Sequence, residues 1–187
     1  MENGYKRKKQ PELVRERILA AAASVAVKRG ADILSIGQVA REAGVTKGGL
    51  LHHFPTKQIL IEALYLNLLD QFESKIYEVM AEDENPRGRF TRAYVTVTVM
   101  ANDERLSGRT VGAAVLAMGT DPTLCDKWND WLREQLAKNG EDIHSPTGRL
   151  IRFAADGIWL EYCFSKPPEI EARGQIIERL LAMTETI

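Results

Sequence analysis

The segment from Ser35 to Lys57, SIGQVAREAGVTKGGLLHHFPTK, constrains the fold of this chain more than any other stretch. Ser35 precedes a run with apolar residues at helical spacing, and Gln38 stands where a capping-box partner reaches back. Gly44 is expected to end that helix, because glycine adopts a left-handed backbone without steric strain. Thr46 is placed to cap a second short helix. The pattern therefore predicts two short helices joined at a sharp corner.

The second of these helices is the predicted DNA-reading helix, because in a helix-turn-helix unit the second helix lies in the major groove. Leu50 and Phe54 are expected to turn inward and hold it against the rest of the domain. The residues predicted for its leading surface are Lys47, Gly48, Leu51, His52 and His53.

Charge is divided unevenly along the chain, although the net charge is only −1. Residues 1–57 contain eleven Lys and Arg against five Asp and Glu, whereas residues 58–187 contain fourteen against twenty-one. A basic module suits the DNA backbone, and an acidic one is repelled from it. Lys6, Arg7, Lys8 and Lys9 are expected to precede the first helix in a flexible segment, either as a DNA-contacting arm or as a solvated tail.

The same region resembles the N-terminal domain of the TetR (tetracycline-repressor) family of one-component transcriptional regulators. The resemblance covers residues 13–57 and rests on RERILAAAASVAVKRG, VAREAGVTKGGL and the closing HFPTK. It implies that Lys57 contacts a phosphate. With the two capping residues Ser35 and Thr46, this completes the predicted DNA-binding set. The resemblance also implies two domains. Residues 1–57 would form a helix-turn-helix domain with a basic N-terminal arm, and residues 58–187 would form a helical effector-binding and dimerisation domain.

Helical signals dominate the rest of the chain, which predicts an all-α fold of about nine helices. The β-branched stretch YVTVTV favours a strand by itself, but no neighbouring segment of the sequence offers a partner strand. The stretch is therefore assigned to a helix. The predicted helices run from about residue 11 or 12 to 29, then through the two motif helices, 58–81, 89–102, 108–118, 121 or 122 to 138, 146–164 and 169–183. The boundary between the two domains is thus expected to lie within a helix.

A homodimer is expected, because one short recognition helix reads only a few base pairs and two copies about 34–36 Å apart read an operator. The family resemblance supports a four-helix bundle made by the last two helices of each copy. The candidate interface residues are Leu150, Phe153, Ala154, Gly157, Ile158 and Leu160 on one helix, and Ile176, Ile177, Leu180 and Leu181 on the other.

Aromatic and methionine side chains of the C-terminal part can line a pocket for a small, mainly apolar or aromatic effector, of the multidrug type in one interpretation. Asp156 or Glu161 could meet a positive charge there. The alternative is that these side chains are plain core. The predicted effector-binding residues are Tyr65, Leu68, Phe72, Tyr94, Met118, Trp128, Trp131, Asp156 and Trp159.

Other classes of protein are disfavoured by the sequence. It has no phosphate-cradling glycine loop, GxSxG elbow or metal-ligand spacing, so no enzyme, cofactor or metal site is predicted. No apolar run approaches the roughly 20 residues of a membrane span, and a cytoplasmic location is expected. Two alternatives stay open: a ligand-independent architectural DNA-binding protein, and an enzyme using Asp156 and Glu161 as acid and base.

Overall fold

The computed structural model describes residues 3–29, 34–100, 121–164 and 170–187, which contain eight α-helices and no strand. The helices are α1 (Asn3–Arg29), α2 (Ile36–Glu42), α3 (Lys47–His53), α4 (Lys57–Ala81), α5 (Arg89–Met100), α6 (Pro122–Lys138), α7 (Pro146–Phe164) and α8 (Ile170–Met183), followed by a short 3₁₀ helix (Thr184–Thr186). The predicted all-α fold is confirmed. The predicted helix 108–118 lies outside the described residues.

The described residues form two compact units. The first contains residues 3–29 and 34–68, and the second contains residues 69–100, 121–164 and 170–187. The change from one unit to the other falls between Leu68 and Leu69, inside α4. The boundary after Lys57 remains a prediction.

The core of the first unit is built around the apolar stripe of α1. Ile18, Ala22 and Ala26 are fully buried, as the helical spacing predicts. They share the core with residues from each of the next three helices, all at most 3% exposed. These are Val39 and Ala40 of α2, Leu50 of α3, and Leu60 and Leu64 of α4.

The start of α1 was predicted wrongly. The helix begins at Asn3, so the basic residues Lys6 to Lys9 lie within it and do not form a flexible arm ahead of it. Lys, Arg and Gln are strong helix formers, and they favour a helical backbone up to Pro11. Pro11 lies inside the helix, where it removes the one hydrogen bond that its own nitrogen would have donated.

The core of the second unit is centred on α5, which packs against α7 and α8. Phe90, Tyr94 and Val95 of α5 are at most 1% exposed, and Val97 and Val99 are also buried. Burial on almost every side explains why the YVTVTV stretch is helical, since tertiary packing outweighs the β propensity of its residues. The prediction that the YVTVTV stretch is helical is confirmed.

Candidate DNA-reading surface and effector site

The helix-turn-helix begins at the cap of α2. The Ser35 Oγ accepts a hydrogen bond from the Gln38 backbone N–H at 3.3 Å, as predicted. The Gln38 side chain also reaches back, but its Oε1 accepts from the Ser35 hydroxyl at 3.0 Å and not from the backbone N–H of a capping box. The first motif helix therefore begins after Ser35, as predicted from the sequence.

The corner between α2 and α3 is held by a glycine with a left-handed backbone. Gly44 has a φ of 65°, and its N–H donates to the Arg41 carbonyl at 3.2 Å. The Val45 N–H donates to the Ala40 carbonyl at 2.9 Å. These two bonds form a Schellman motif, which satisfies carbonyls that the helix end would leave without partners. The predicted glycine stop is confirmed.

The reading helix α3 is anchored by its apolar side. Thr46 Oγ1 caps it by accepting from the Gly49 N–H at 3.0 Å, and Leu50 and Phe54 are 0% exposed. Because one side of this short helix is buried, the other side faces outward. Lys47, Gly48 and His52 are exposed, and Leu51 and His53 are half-buried.

Three contacts that the sequence did not reveal tie the motif to α1. Glu42, the last residue of α2, forms an ion pair with Lys28 at 2.8 Å and accepts from the Ser24 hydroxyl at 3.0 Å. The hydrogen bond from Lys28 is the main reason that the pKa of Glu42 is lowered. The Arg15 guanidinium lies 4.5 Å from the centre of the Phe54 ring, at the C-terminal end of α3. The reading helix is thus fixed at both its apolar side and its end.

Lys57 is the first residue of α4 and is exposed. Thr56 precedes it and caps the helix, because Thr56 Oγ1 accepts from the Ile59 N–H at 3.1 Å. The cap fixes the backbone from which the Lys57 side chain extends.

The second unit brings four of the predicted effector residues into one aromatic cluster: Phe72, Tyr94, Trp128 and Trp131. The rings of Trp128 and Trp131 are 5.0 Å apart between centroids, and that of Phe72 lies 5.7–6.0 Å from the other three. Tyr94 and Trp131 are buried, whereas Phe72 and Trp128 are only half-buried. The cluster therefore has an inner part belonging to the core and an accessible rim.

Asp156 adjoins this cluster through Tyr94, whose hydroxyl donates to Asp156 Oδ1 at 2.5 Å. Burial raises the pKa of Asp156 above its ordinary 3.8, and the Tyr94 hydrogen bond and the Arg152 charge oppose that rise. Burial, followed by the Asp156 charge, raises the pKa of Tyr94, so its hydroxyl keeps its proton and remains a donor.

The other predicted effector residues are placed differently. Tyr65, which is buried, and Leu68 belong to the first unit. Trp159 is half-buried on α7 and takes no part in the ring contacts among the described residues. Met118 lies outside the described residues.

A polar network behind the aromatic cluster was not foreseen. Glu73 of α4 accepts from the Trp131 Nε1–H at 2.8 Å and from the Gln135 side-chain amide at 3.0 Å. Gln135, which is 1% exposed, in turn accepts from the Tyr77 hydroxyl at 2.7 Å. In the sequence, the only sign of this network was a glutamate, Glu73, on the apolar side of α4. That position did not reveal which side chains would donate to it.

A capped helix, a left-handed glycine corner and an anchored second helix with an exposed basic end define a helix-turn-helix DNA-binding protein. Residues 18–64 match the model for bacterial regulatory proteins of the tetR family, and residues 88–185 match that for the tetracyclin repressor-like C-terminal domain. Because the second match covers more than half of the 187 residues, the chain belongs to the TetR family. The predicted TetR-type transcriptional repressor is confirmed.

Individual relatives resemble the chain over most of its length. The HTH-type transcriptional repressor KstR2 of Mycolicibacterium smegmatis is 23% identical over 190 residues, covering 93% of this chain and 90% of KstR2. A transcriptional regulator from Rhodococcus sp. Rha1 has a TM-score of 0.72 at 25% identity, covering 92% of this chain and 96% of that one. The multidrug binding protein EbrR, solved with malachite green, has a TM-score of 0.67 at 24% identity, covering 89% and 96%.

None of the helices in the described ranges is long and apolar enough to cross a membrane. Within the same ranges, no three His, Cys, Asp or Glu side chains come together as a metal site.

Proposed function

We propose that this repressor binds a palindromic operator as a homodimer and is released by a small, mainly apolar or aromatic effector. The observation that carries the proposal is the reading helix α3, which buries Leu50 and Phe54 and turns Lys47 and His52 outward. We also propose a cytoplasmic location, because a protein that binds a chromosomal operator acts in the cytoplasm.

In the proposed DNA complex, residues of α3 contact base edges and the flanking residues contact phosphates. Lys47 and Gly48 form the exposed first turn, where a lysine can reach the O6 and N7 of a guanine. His52, His53 and Leu51 follow along the helix. The DNA backbone is assigned to the two capping residues, Ser35 and Thr46, and to Lys57 at the start of α4. Such phosphate contacts position the protein on the duplex but do not read its sequence.

The proposed dimer interface is an apolar stripe along α7. Leu150, Phe153, Gly157 and Leu160 follow one another at spacings of three, four and three residues, and all four are exposed. Leu150 is 58% and Phe153 61% exposed, which is unusual for such large apolar side chains. Ile176 of α8, 49% exposed, is assigned to the same interface. A second copy of these helices would bury the stripe.

The proposed effector site is the accessible rim of the aromatic cluster, with Phe72 and Trp128 as its half-buried members and Asp156 joined to the cluster through Tyr94. Trp159 of the same unit stays in the proposed set, whereas the assignments of Tyr65, Leu68 and Met118 remain predictions from the sequence. EbrR offers a precedent in this fold, since it was solved with malachite green.

A catalytic role is not proposed. Asp156 is hydrogen-bonded to Tyr94, whereas Glu161, five residues further along α7, is exposed. Residues five apart on a helix point about 140° away from each other, so these two carboxylates do not face one site as acid and base.

Selection of binding sites from a random duplex library by the full-length protein tests the proposal. We expect two inverted half-sites whose centres are about 34–36 Å apart, or a multiple of that distance. Arg133→Ala, which removes a charge that is 61% exposed on α6, serves as a control and should select the same site. If the selected duplexes share no sequence and show no two-fold symmetry, the result would instead favour the ligand-independent architectural DNA-binding protein.

A further inference from the structure

An arginine of α1 covers the end of the reading helix α3. The Arg15 guanidinium lies 4.5 Å from the centre of the Phe54 ring, and Phe54 is the C-cap residue of α3. The Phe54 side chain is fully buried, whereas Arg15 is exposed. An exposed side chain above a fully buried ring is the outermost layer of the protein at that point. The guanidinium therefore lies at the surface, beside the end of α3.

The N–H groups of Arg15 have no acceptor in the part of the chain that the structure describes. There its contact is with the Phe54 ring, and neither a hydrogen bond nor an ion pair engages its guanidinium. Glu12, one helical turn earlier on α1, is also exposed but does not pair with it. Lys28 of the same helix, by contrast, is engaged by Glu42. A guanidinium carries five N–H donors, and those of Arg15 remain available to an acceptor outside the protein.

The Phe54 ring restricts where the Arg15 donors can lie. An aromatic face attracts a cation, which holds the guanidinium beside the ring. The five N–H groups of a guanidinium lie in one plane and match two oxygens of a phosphate at once. A side chain that is already held in place loses less conformational entropy when it forms those bonds. The contact with Phe54 thus prepares Arg15 to bind a phosphate.

A second basic residue lies near the same end of α3. Lys57 begins α4 three residues after Phe54, so the two Cα atoms are at most about 11 Å apart. Lys57 is exposed and is assigned to the DNA backbone in the proposed complex. Arg15 therefore adds a further positive charge at the end of α3 opposite to Lys47.

We propose that Arg15 is a DNA-contacting residue, which donates to a phosphate while its contact with Phe54 holds it at the end of the reading helix. This inference rests on the proposed function and adds a residue of α1 to a predicted set drawn only from residues 35–57. Because phosphates carry no sequence information, Arg15 contributes affinity and orientation but not base preference.

The salt dependence of binding to the duplex recovered by site selection tests the phosphate contact. Arg15→Gln keeps a polar side chain beside Phe54 but removes the positive charge. We expect the slope of log affinity against log salt to become shallower by about one for each half-site bound. Arg17→Gln is the matched control, because it removes the same charge from an exposed arginine that points about 160° away on α1. It should keep the slope, and equal slopes for the two variants would overturn the inference.

Repeated site selection separates a phosphate contact from a purely structural role. Arg15→Gln should select the same half-site as the original protein. A changed base preference with an unchanged salt slope would show that Arg15 acts only by positioning α3, and it would refute the contact.

Arg15→Lys keeps the positive charge with fewer donors, and it keeps the test decisive if thermal unfolding shows that Arg15→Gln does not fold. We expect this variant to bind more weakly than the original protein but with the same salt slope. A shallower slope in Arg15→Lys would refute the contact.

The original protein tests the proposed function in the same titrations. Failure to recover any duplex, or binding that does not depend on salt, would refute the proposed function and this inference together. Salt-dependent binding with equal slopes for Arg15→Gln and Arg17→Gln would refute the inference about Arg15 alone.

Discussion

The indole N–H of Trp131 donates to Glu73 Oε2 at 2.8 Å, and this bond joins α6 to α4 behind the aromatic cluster. Glu73 also accepts from Gln135, which is buried. One carboxylate on α4 thus satisfies two donors on α6, and its loss would leave both without their acceptor.

Glu73→Ala should therefore destabilise the protein by about 1–3 kcal/mol, the usual penalty when a buried donor loses its partner. Unfolding in urea, followed by tryptophan fluorescence, measures the change. Glu78→Ala removes an exposed carboxylate from the same helix and should stay within about 0.5 kcal/mol of the original protein. Equal midpoints for the two variants would show that the Glu73 bonds contribute nothing.

Gly44→Ala should destabilise the protein by roughly 1–2 kcal/mol, because a side chain at a φ of 65° strains the backbone even where space is open. Gly37→Ala is the matched control. Its added methyl also meets nothing within 4 Å, but Gly37 is in α2, where alanine should stabilise by about 0.5–1 kcal/mol. Thermal unfolding measured by circular dichroism should give shifts of opposite sign. A stabilising effect at Gly44 would refute the role of the left-handed corner.

Lys57→Ala should weaken binding to every duplex alike and reduce the slope of log affinity against log salt by about one, as expected for a lost phosphate contact. Lys47→Ala should instead relax the base preference at one position of each half-site, at about 1–3 kcal/mol of discrimination. Each variant is the control for the other. Salt titrations and repeated site selection distinguish them, and a sequence-dependent loss with Lys57→Ala would contradict the assignment.

Phe153→Glu should convert the proposed dimer to a monomer, because it places a charge in the centre of the α7 stripe, where Phe153 is 61% exposed. Sedimentation equilibrium measures the oligomeric state. Leu13→Glu makes the same kind of change at a leucine that is 55% exposed on α1, and it should leave a dimer intact. A Phe153→Glu protein that still sediments as a dimer would place the interface elsewhere.

Most helix ends could be predicted because they depend on neighbours close in sequence. Asp121 caps α6 by accepting from the Thr123 N–H at 2.9 Å, and Ser145 caps α7 by accepting from the Gly148 N–H at 3.2 Å. The start of α1 was missed, because Pro11 is as compatible with a helix's first turn as with a position further inside it.

The candidate effector site was predicted only in part. Its residue types were visible, but the hydrogen bond between Tyr94 and Asp156 joins residues 62 positions apart, and that between Trp131 and Glu73 joins residues 58 apart. Such pairs depend on how whole helices pack. The spacing of residues within one helix does not specify which neighbouring helix they will meet.

The sequence by itself determined the helix-turn-helix, because Ser35, Gly44 and Thr46 act through bonds and backbone angles within five residues. Only the tertiary structure decided between the carboxylates of α7. In the sequence, either Asp156 or Glu161 could have met a positive charge, although only Asp156 was included in the predicted effector-binding set. Packing of α5 against α7 brings the Tyr94 hydroxyl to Asp156 and leaves Glu161 exposed, and burial in that packed interface gives Asp156 its elevated pKa.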